Sequence, residues 1–207
     1  SASRTHAYWV GIQSNGTRYV NHPSEDVRVG RVWGTPTFAA RALFRFDTAS
    51  FSGKQIIDAE FAHKLIHSPN NDCNAATWGP GVRVYAATAG ISSSTTWANQ
   101  PGIGAYSPTT NVQVHGNSAY CSGYTRLEWD VKAIVAAAGS TLTLGMISAN
   151  ESDQNGWRKF DNDAAAGSTF PILVVQYNSL PATPGTPQLV GGVGSASPLW
   201  TQSSTPT

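Results

Sequence analysis

The chain has few charged side chains. Asp, Glu, Lys and Arg make up 12% of its 207 residues, about half of the share of roughly 25% that is usual in globular proteins. The 13 basic residues nearly balance the 12 acidic ones, the formal net charge is +1, and the basic residues form no block. Proteins that bind nucleic acid or anionic membranes concentrate Lys and Arg on one surface. The sequence therefore predicts neither kind of partner.

Long apolar runs and cysteine clusters are missing as well. No segment approaches the about 18 consecutive apolar residues that mark a membrane-spanning helix, so we expect no insertion into a membrane. The only cysteines are Cys73 and Cys121, without a C-x-x-C pair and without His residues at zinc-ligand spacing. An even number of cysteines, in a chain rich in uncharged polar residues, favours one disulfide and an extracellular location. Two buried free thiols are the alternative.

Short segments in which apolar and polar residues alternate are abundant. In RALFRFDT, for example, Ala42, Phe44 and Phe46 would lie on one face and the charged residues on the other. Comparable segments, bounded by Gly, Pro, Asn or Ser, are IIDAEFAHKL, GVRVYAAT, RLEWDV, TLTLGMIS and PILVVQYN. A period of two residues is typical of β-strands with one buried face.

One segment has the pattern of a helix. In DVKAIVAAAG, Asp130 is a candidate N-cap, residues 131–138 carry the apolar face, and Gly139 is a stop signal. A single short helix near 131–138 among many strands predicts an all-β fold, an antiparallel two-sheet β-sandwich that is jelly-roll-like. The polar segments 68–81 and 101–123 are predicted to be loops, which the disulfide would join.

The composition changes after Tyr177. From Asn178 onward there is no charged residue, and the Pro-rich stretch NSLPATPGTPQ is typical of an extended linker. We therefore predict a β-sandwich module over residues 1–178 and a Pro-rich linker over 179–188. Residues 189–207 are predicted to be a tail or the truncated start of a following β-domain.

Several motifs, taken in order, resemble a family of bacterial extracellular domains. They are RALFRFDT, GKQIIDAEF, TTWANQP, LEWDVKAIVAAA, TLTLGMISANESDQNGWRKF and PILVVQYN, and the resemblance extends from about residue 27 to residue 178. In this order they resemble the DNRLRE-like modules, which are similar to carbohydrate-binding modules and occur in large secreted or wall-associated proteins. The resemblance implies a non-catalytic adhesion, carbohydrate-binding or spacer role beside adjoining domains. It also implies a cysteine pair at Cys73 and Cys121, and no catalytic residues.

Aromatic residues outside the regular strands are candidate platforms for sugar rings. Trp78 is close to Cys73 in sequence, and Tyr120 and Tyr124 flank Cys121, so a disulfide would bring these rings together. Flat rings with neighbouring hydrogen-bonding groups suit a glycan. The candidate ligand-binding residues are Trp33, Trp78, Tyr106, Tyr120, Tyr124, Asn71, Asp72 and His115. The alternative is that these rings only cover the long loops.

Two other tryptophans are predicted to be structural. Trp97 lies in TTWANQP, where Asn99 and Gln100 can hydrogen-bond to backbone groups, so we expect it to hold a loop against the core. Trp129 alternates with Leu127 and is expected in the core.

Four acidic residues are grouped in NESDQNGWRKFDND. Carboxylate oxygens are typical calcium ligands, so a calcium site is one interpretation, and no other cofactor is expected. The residues are Glu151, Asp153, Asp161 and Asp163. The alternative, which the resemblance implies, is that Glu151 and Asp153 stabilise a hairpin and pair with Arg158 or Lys159.

No motif indicates catalysis. The sequence contains no G-x-S-x-G and no H-E-x-x-H, and its carboxylates show no pairing of the kind that glycoside hydrolases use. Together with the resemblance to the DNRLRE-like modules, the sequence predicts a non-catalytic module, extracellular or wall-associated, that binds a glycan or cell-wall polysaccharide. Two alternatives stay open, a structural spacer or assembly subunit without a small ligand, and a polysaccharide lyase or hydrolase with dispersed residues.

Overall fold

The computed structural model describes most of the chain as antiparallel β-structure. The described residues are 2–20, 25–75, 77–161, 171–178, 188–192 and 195–199, with only the backbone described for 2–7 and 188–199. The strands are β1 (Ala2–Gln13), β2 (Arg18–Val20), β3 (Val27–Arg31), β4 (Ala39–Asp47), β5 (Gln55–His67), β6 (Thr77–Ala87), β7 (Ile103–Gln113), β8 (Thr125–Asp130), β9 (Thr141–Ser148), β10 (Arg158–Phe160), β11 (Ile172–Asn178), β12 (Gln188–Gly192) and β13 (Ser195–Leu199). Helix α1 is Lys132–Ala136, and a 3₁₀ turn covers Gln154–Gly156.

The strands β1 to β11 form two sheets that continue into each other. In sheet A, β1 pairs with β11, β11 with β5, β5 with both β8 and β10, and β10 with β3. In sheet B the order is β2, β1, β4, β9, β6, β7. Strand β1 belongs to both, because residues 2–6 pair with β11 and residues 7–13 with β4. The prediction of an all-β antiparallel two-sheet sandwich with one short helix is confirmed.

The core lies between the two sheets and is rich in aromatic rings. The rings of Phe44 and Phe61 approach to 5.4 Å between centroids, and those of Phe61 and Trp129 to 5.8 Å. Trp129 is fully buried, as expected from its alternation, and its indole Nε1–H donates a 2.9 Å hydrogen bond to the carbonyl of Val82. Burying a large apolar side chain contributes about 2 to 3 kcal/mol, so these aromatic rings contribute substantially to the stability of the core.

Strands β7 and β8, at the edges of the two sheets, are joined by side chains. Ser107 Oγ and Asn111 Nδ2 each donate a 2.6 Å hydrogen bond to a β8 carbonyl, those of Asp130 and Glu128 respectively. The amide of Asp130 donates to Thr109 Oγ1 at 3.3 Å. These bonds provide hydrogen-bond partners for backbone groups of β8 on the side that faces β7. They thereby connect the two sheets along this edge.

This arrangement corrects the two loop predictions. Residues 103–113 form β7 although they were expected within a loop over 101–123, and β6 begins at Thr77 although 68–81 was expected to be a loop. The buried face of β7 carries hydroxyl and amide groups instead of apolar ones, because it contacts backbone of β8. A search for apolar alternation therefore misses this strand.

Helix α1 closes one end of the core. Ile134 and Val135 are buried, and the N-cap position is Val131, without a side-chain cap. Asp130, the predicted cap, lies one residue earlier and accepts a 2.9 Å hydrogen bond from the amide of Lys132. The helix was predicted in the right place, with its cap displaced by one residue.

A second apolar cluster lies on the outer face of sheet B and includes Leu43 and Tyr85. Trp97 packs against it, half-buried, and the guanidinium carbon of Arg41 lies 4.7 Å from the centroid of the Trp97 ring. Gln100 Oε1 accepts a 3.1 Å hydrogen bond from Arg41, and Gln100 Nε2 donates to the Trp97 carbonyl at 2.9 Å. Asn99 Nδ2 donates to the carbonyl of Ser94 at 3.2 Å. Trp97 thus holds its loop against the sheet.

Strands β12 and β13 pair with each other as a two-stranded antiparallel sheet. Apart from Gln188, the predicted linker lies outside the described residues, so the domain boundaries stay predictions. Among the described helices, none has the length and apolarity to cross a membrane.

Candidate functional site

The two cysteine-bearing loops are joined as predicted. Cys73 and Cys121 form a disulfide with an S–S distance of 2.04 Å between residues 48 positions apart, which confirms the predicted bridge. Gly116, with φ of +92°, packs against it: a Cβ at this position would lie 2.5 Å from Cys121 Sγ and 3.3 Å from the Cα of Cys73. A side chain other than hydrogen therefore does not fit beside the bridge.

Hydrogen bonds connect the same two segments, the 68–75 loop and the 114–124 loop. The amide of Ser68 donates to the Gly116 carbonyl at 2.8 Å, and the amide of Gly116 donates back to Ser68 Oγ at 3.1 Å. Asn117 Nδ2 donates a 3.2 Å bond to Asn71 Oδ1. The bridge and these bonds hold the two loops as one unit.

These loops form part of an open groove with a volume of about 600 Å³. Three of the eight predicted ligand-binding residues line it, namely Trp33, Tyr120 and Asn71. Trp33 is 60% exposed and Tyr120 is 72% exposed. The structure thus brings together two large, accessible rings that are 87 positions apart in the sequence.

The other predicted residues do not line the groove. Tyr106 stacks under the guanidinium of Arg83, with 3.6 Å from its carbon to the ring centroid, and lines a second groove of about 450 Å³ among small Ala, Gly and Thr residues. The ammonium nitrogen of Lys64 lies 4.9 Å from the centroid of the Tyr124 ring.

The local environments also differ among the remaining three predicted residues, Trp78, Asp72 and His115. Trp78 lies at the start of β6, and its carbonyl accepts a hydrogen bond from Arg158. Asp72 Oδ1 accepts a 2.9 Å bond from the amide of Asn74, which fixes the turn next to the disulfide. His115 is buried, and its Nε2 has no hydrogen-bond partner among the described residues.

The groove also contains residues that no sequence motif indicated. Phe38 and Trp157 meet edge to face at 6.1 Å and form an apolar part of the lining. Arg28, Lys159 and the half-buried His67 add polar groups. Arg28 and Lys159 are neighbours because β3 and β10 pair with these two residues opposite each other. No local sequence signal announces this pairing, since the two strands are far apart in the chain.

Cationic groups dominate the charge of the groove. Arg28 pairs with Glu25 at 3.2 Å and Lys159 with Asp26 at 3.8 Å, both partly exposed. Neither carboxylate is part of the lining, and no other carboxylate is found among the described residues that line the groove. The lining therefore presents mainly hydrogen-bond donors.

Arg158, next to Lys159, is buried beside this surface. Its guanidinium donates to the carbonyls of Asn155 at 2.6 Å and Trp157 at 2.9 Å, and also to that of Trp78. Burial lowers the pKa of Arg158 to about 10, so the group stays charged at neutral pH. It fixes the backbone that carries Trp157.

His67 lines the groove as a neutral ring. Burial, followed by the charges of Lys159, Arg158 and His115, lowers the pKa of His67 to about 4. Its Nδ1 accepts a 3.2 Å hydrogen bond from the amide of Ser118. Because a backbone N–H can only donate, the neutral ring carries its proton on Nε2.

The predicted calcium ligands are separated from one another. Glu151 accepts two hydrogen bonds from Arg41, at 2.8 Å from Nε and 2.6 Å from NH2. Asp153 Oδ1 accepts a 2.9 Å bond from the amide of Asn155 at the start of the 3₁₀ turn. Glu151 is paired with Arg41 instead of Arg158 or Lys159, whereas the charge of Asp153 acts on Arg158.

Asp161 lies near Lys64, with 3.8 Å between Oδ2 and Nζ, and Asp163 lies outside the described residues. Within the part of the chain that the structure describes, no three His, Cys, Asp or Glu side chains are grouped so that they could hold a metal ion. A calcium site stays a prediction that depends on Asp163.

The fold and the groove together define a disulfide-bonded antiparallel β-sandwich with an aromatic, donor-rich surface groove. No protein-family model matches the chain, and a comparison with curated proteins gives no match.

Proposed function

We propose that this protein is a non-catalytic extracellular module that binds polysaccharide in the groove lined by Trp33 and Tyr120. The observation that carries the proposal is the exposure of these two rings. They are the most exposed of the large apolar side chains that the structure describes, at 60% and 72%, and both line the same groove. Exposed rings of this size typically carry much of the energy of an interface.

The polar residues of the lining can bind the hydroxyl groups of a sugar. A pyranose presents C–H groups on its faces, which pack on an aromatic ring, and hydroxyl groups around its edge. Asn71, Asn117, Arg28 and Lys159 line the same groove and offer amide, guanidinium and ammonium donors to such oxygens. A volume of about 600 Å³ is within the range of small-ligand sites.

The groove is also held in place before a ligand binds. The disulfide and the hydrogen bonds between the 68–75 and 114–124 loops restrain the segment that carries Tyr120. A restrained site loses less conformational entropy on binding. The disulfide also fits an oxidising compartment, which supports an extracellular or wall-associated location.

The resemblance to DNRLRE-like modules supports the same role within a larger secreted protein. A single open groove of this kind is expected to bind weakly. Several modules on one chain would bind with higher overall affinity through their effective concentration.

The test is retention of the full chain in gels that contain a soluble polysaccharide, with xylan, mixed-linkage glucan, polygalacturonate and glycol chitin as the panel. We expect retention on at least one, and a loss of about tenfold in affinity when Trp33→Ala or Tyr120→Ala removes a ring. Tyr124→Ala is the matched control, since Tyr124 is 56% exposed but does not line the groove. Failure of all four polysaccharides to retard the protein would contradict the proposal and favour the spacer role.

A second candidate is supported by the presence of Tyr120, His67 and Arg28 in this groove. These residue types can support β-elimination in a polysaccharide lyase, which breaks a C–O bond and leaves a C=C bond in the product. New ultraviolet absorbance on incubation with polygalacturonate, abolished by Tyr120→Phe, would establish the lyase. Retention of the protein by the polysaccharide without formation of any product would support the binding role instead.

A further inference from the structure

His67 connects the end of β5 to the 114–124 loop through one ring nitrogen. Both donors of Ser118 face Nδ1, with the amide nitrogen at 3.2 Å and Oγ at 3.0 Å. The contact joins residues 51 positions apart. It requires an unprotonated Nδ1, since the amide of Ser118 has no acceptor function.

Ser118 belongs to a tight turn that carries two groove residues. The amides of Tyr120 and Cys121 donate to the carbonyl of Asn117 at 2.9 and 2.8 Å. The amide of Ala119 donates to Asn117 Oδ1 at 3.0 Å. The turn over residues 117–121 is therefore one hydrogen-bonded unit, and its attachment through Ser118 positions both Asn117 and Tyr120.

The surroundings of His67 oppose a positive charge on its ring. From β10, Lys159 lies opposite His67 in the strand pairing, and the Arg158 charge also acts on the ring. From the 114–124 loop, His115 is the further titratable group that acts on it.

The remaining nearby charges belong to ion pairs. On β5 itself, Lys64 pairs with Asp161. Across the groove, Arg28 pairs with Glu25, while Asp26 pairs with Lys159. No carboxylate among the described residues makes an ion pair or a hydrogen bond with His67.

We propose that protonation of His67 breaks its contact with Ser118, shifts the 117–121 turn within the limits set by the disulfide, and weakens binding in the groove, so that the site releases its polysaccharide in acid. The proposal rests on the binding function proposed above. The proton is taken up by Nδ1, which then donates. The hydroxyl of Ser118 can rotate and accept a hydrogen bond from the protonated Nδ1. The amide of Ser118 can only donate, so it loses its hydrogen-bond acceptor. The new charge also repels Lys159 and Arg158.

The first test is an NMR titration of the full chain from pH 7 downward, over the range in which circular dichroism shows the fold intact. We expect the amide of Ser118 and the ring of Tyr120 to shift together with the His67 ring. In His67→Gln, the side-chain oxygen can still accept from Ser118 but does not titrate, so both shifts should disappear. Equal shifts in the wild type and in His67→Gln, or a wild-type Ser118 amide that stays constant while His67 titrates, would overturn the proposal.

The second test measures affinity for xylohexaose, cellohexaose and chitohexaose, which carry no carboxylate that titrates in this range, at several pH values. With a His67 pKa of about 4, affinity should fall about twofold at pH 4 and about tenfold one pH unit lower, and stay level in His67→Gln. A parallel fall in the variant would contradict the proposal. If none of the four polysaccharides of the retention panel binds at pH 7, the binding function fails, and the NMR titration still decides whether protonation of His67 breaks the contact with Ser118.

Discussion

Acidification should destabilise the fold through His63, a histidine enclosed by the aromatic core. Its ring is fully buried and lies 5.7 Å from Phe44, 6.4 Å from Phe61 and 5.1 Å from Phe160 between centroids. Burial, with a smaller contribution from the charge of Lys64, lowers the pKa of His63 from 6.5 to about 3. The folded protein therefore holds this ring neutral at pH values where the unfolded chain protonates it.

The size of the effect follows from the two pKa values. Between about pH 6.5 and pH 3 the unfolded state binds the extra proton, so the free energy of unfolding falls as the pH falls through this window. From pH 7 to pH 5 the loss at this one site is about 2 kcal/mol. Stability is fully present above pH 6.5, where the unfolded ring is neutral as well.

Urea denaturation at pH 7, 6 and 5 measures this loss, and His63→Leu isolates it. The variant cannot titrate at this position and also removes Nε2, a buried nitrogen that has no hydrogen-bond partner among the described residues. We expect the wild type to lose about 2 kcal/mol more than the variant between pH 7 and pH 5. Other titrating groups, including His67, cancel in the comparison. The same pH dependence in both proteins would refute the reasoning.

Two further perturbations act on the loops that form the groove. Replacing Cys73 and Cys121 together by Ser should lower the free energy of unfolding by about 4 kcal/mol, since the bridge closes a 48-residue loop, and should reduce polysaccharide retention; unchanged urea midpoints would contradict this. Gly116→Ala should cost about 2 kcal/mol or more because of its positive φ and the 2.5 Å approach of a Cβ to Cys121 Sγ. Gly139→Ala is the control, as nothing lies within 4 Å of its added Cβ, and an equal loss there would remove the steric argument.

The regular strands were predictable because their burial follows a period of two. In β4 the residues Ala42, Phe44 and Phe46 are buried while Arg45 and Asp47 are exposed. In β8, Leu127 and Trp129 alternate with exposed residues in the same way. Such segments pack one face on the core, so the alternation of apolar and polar residues in their sequence is enough to predict them as strands.

Strand β7 was not predictable by the same rule. Ser107, Thr109 and Asn111 alternate along it, but they contact backbone of β8 through hydrogen bonds instead of apolar packing. A polar segment that serves as a strand in this way looks like a loop in the sequence.

The groove was predictable only in part, for a related reason. Tyr120 and Asn71 could be chosen because the cysteines place their loops together, and Trp33 because it is an aromatic residue outside the regular strands. Arg28 and Lys159 meet through the pairing of β3 with β10, which depends on the whole topology. The local sequence of either strand does not indicate such a pairing.

The most direct test of the central claim is an NMR titration of the full chain with fragments of whichever polysaccharide retains it. The account predicts that the indole N–H of Trp33 and the side-chain amides of Asn71 and Asn117 shift progressively and saturate together. The indole of Trp97, packed against sheet B, should stay constant. Shifts confined to Trp78 or Tyr106, with Trp33 unaffected, would contradict the assignment of the groove as the binding site.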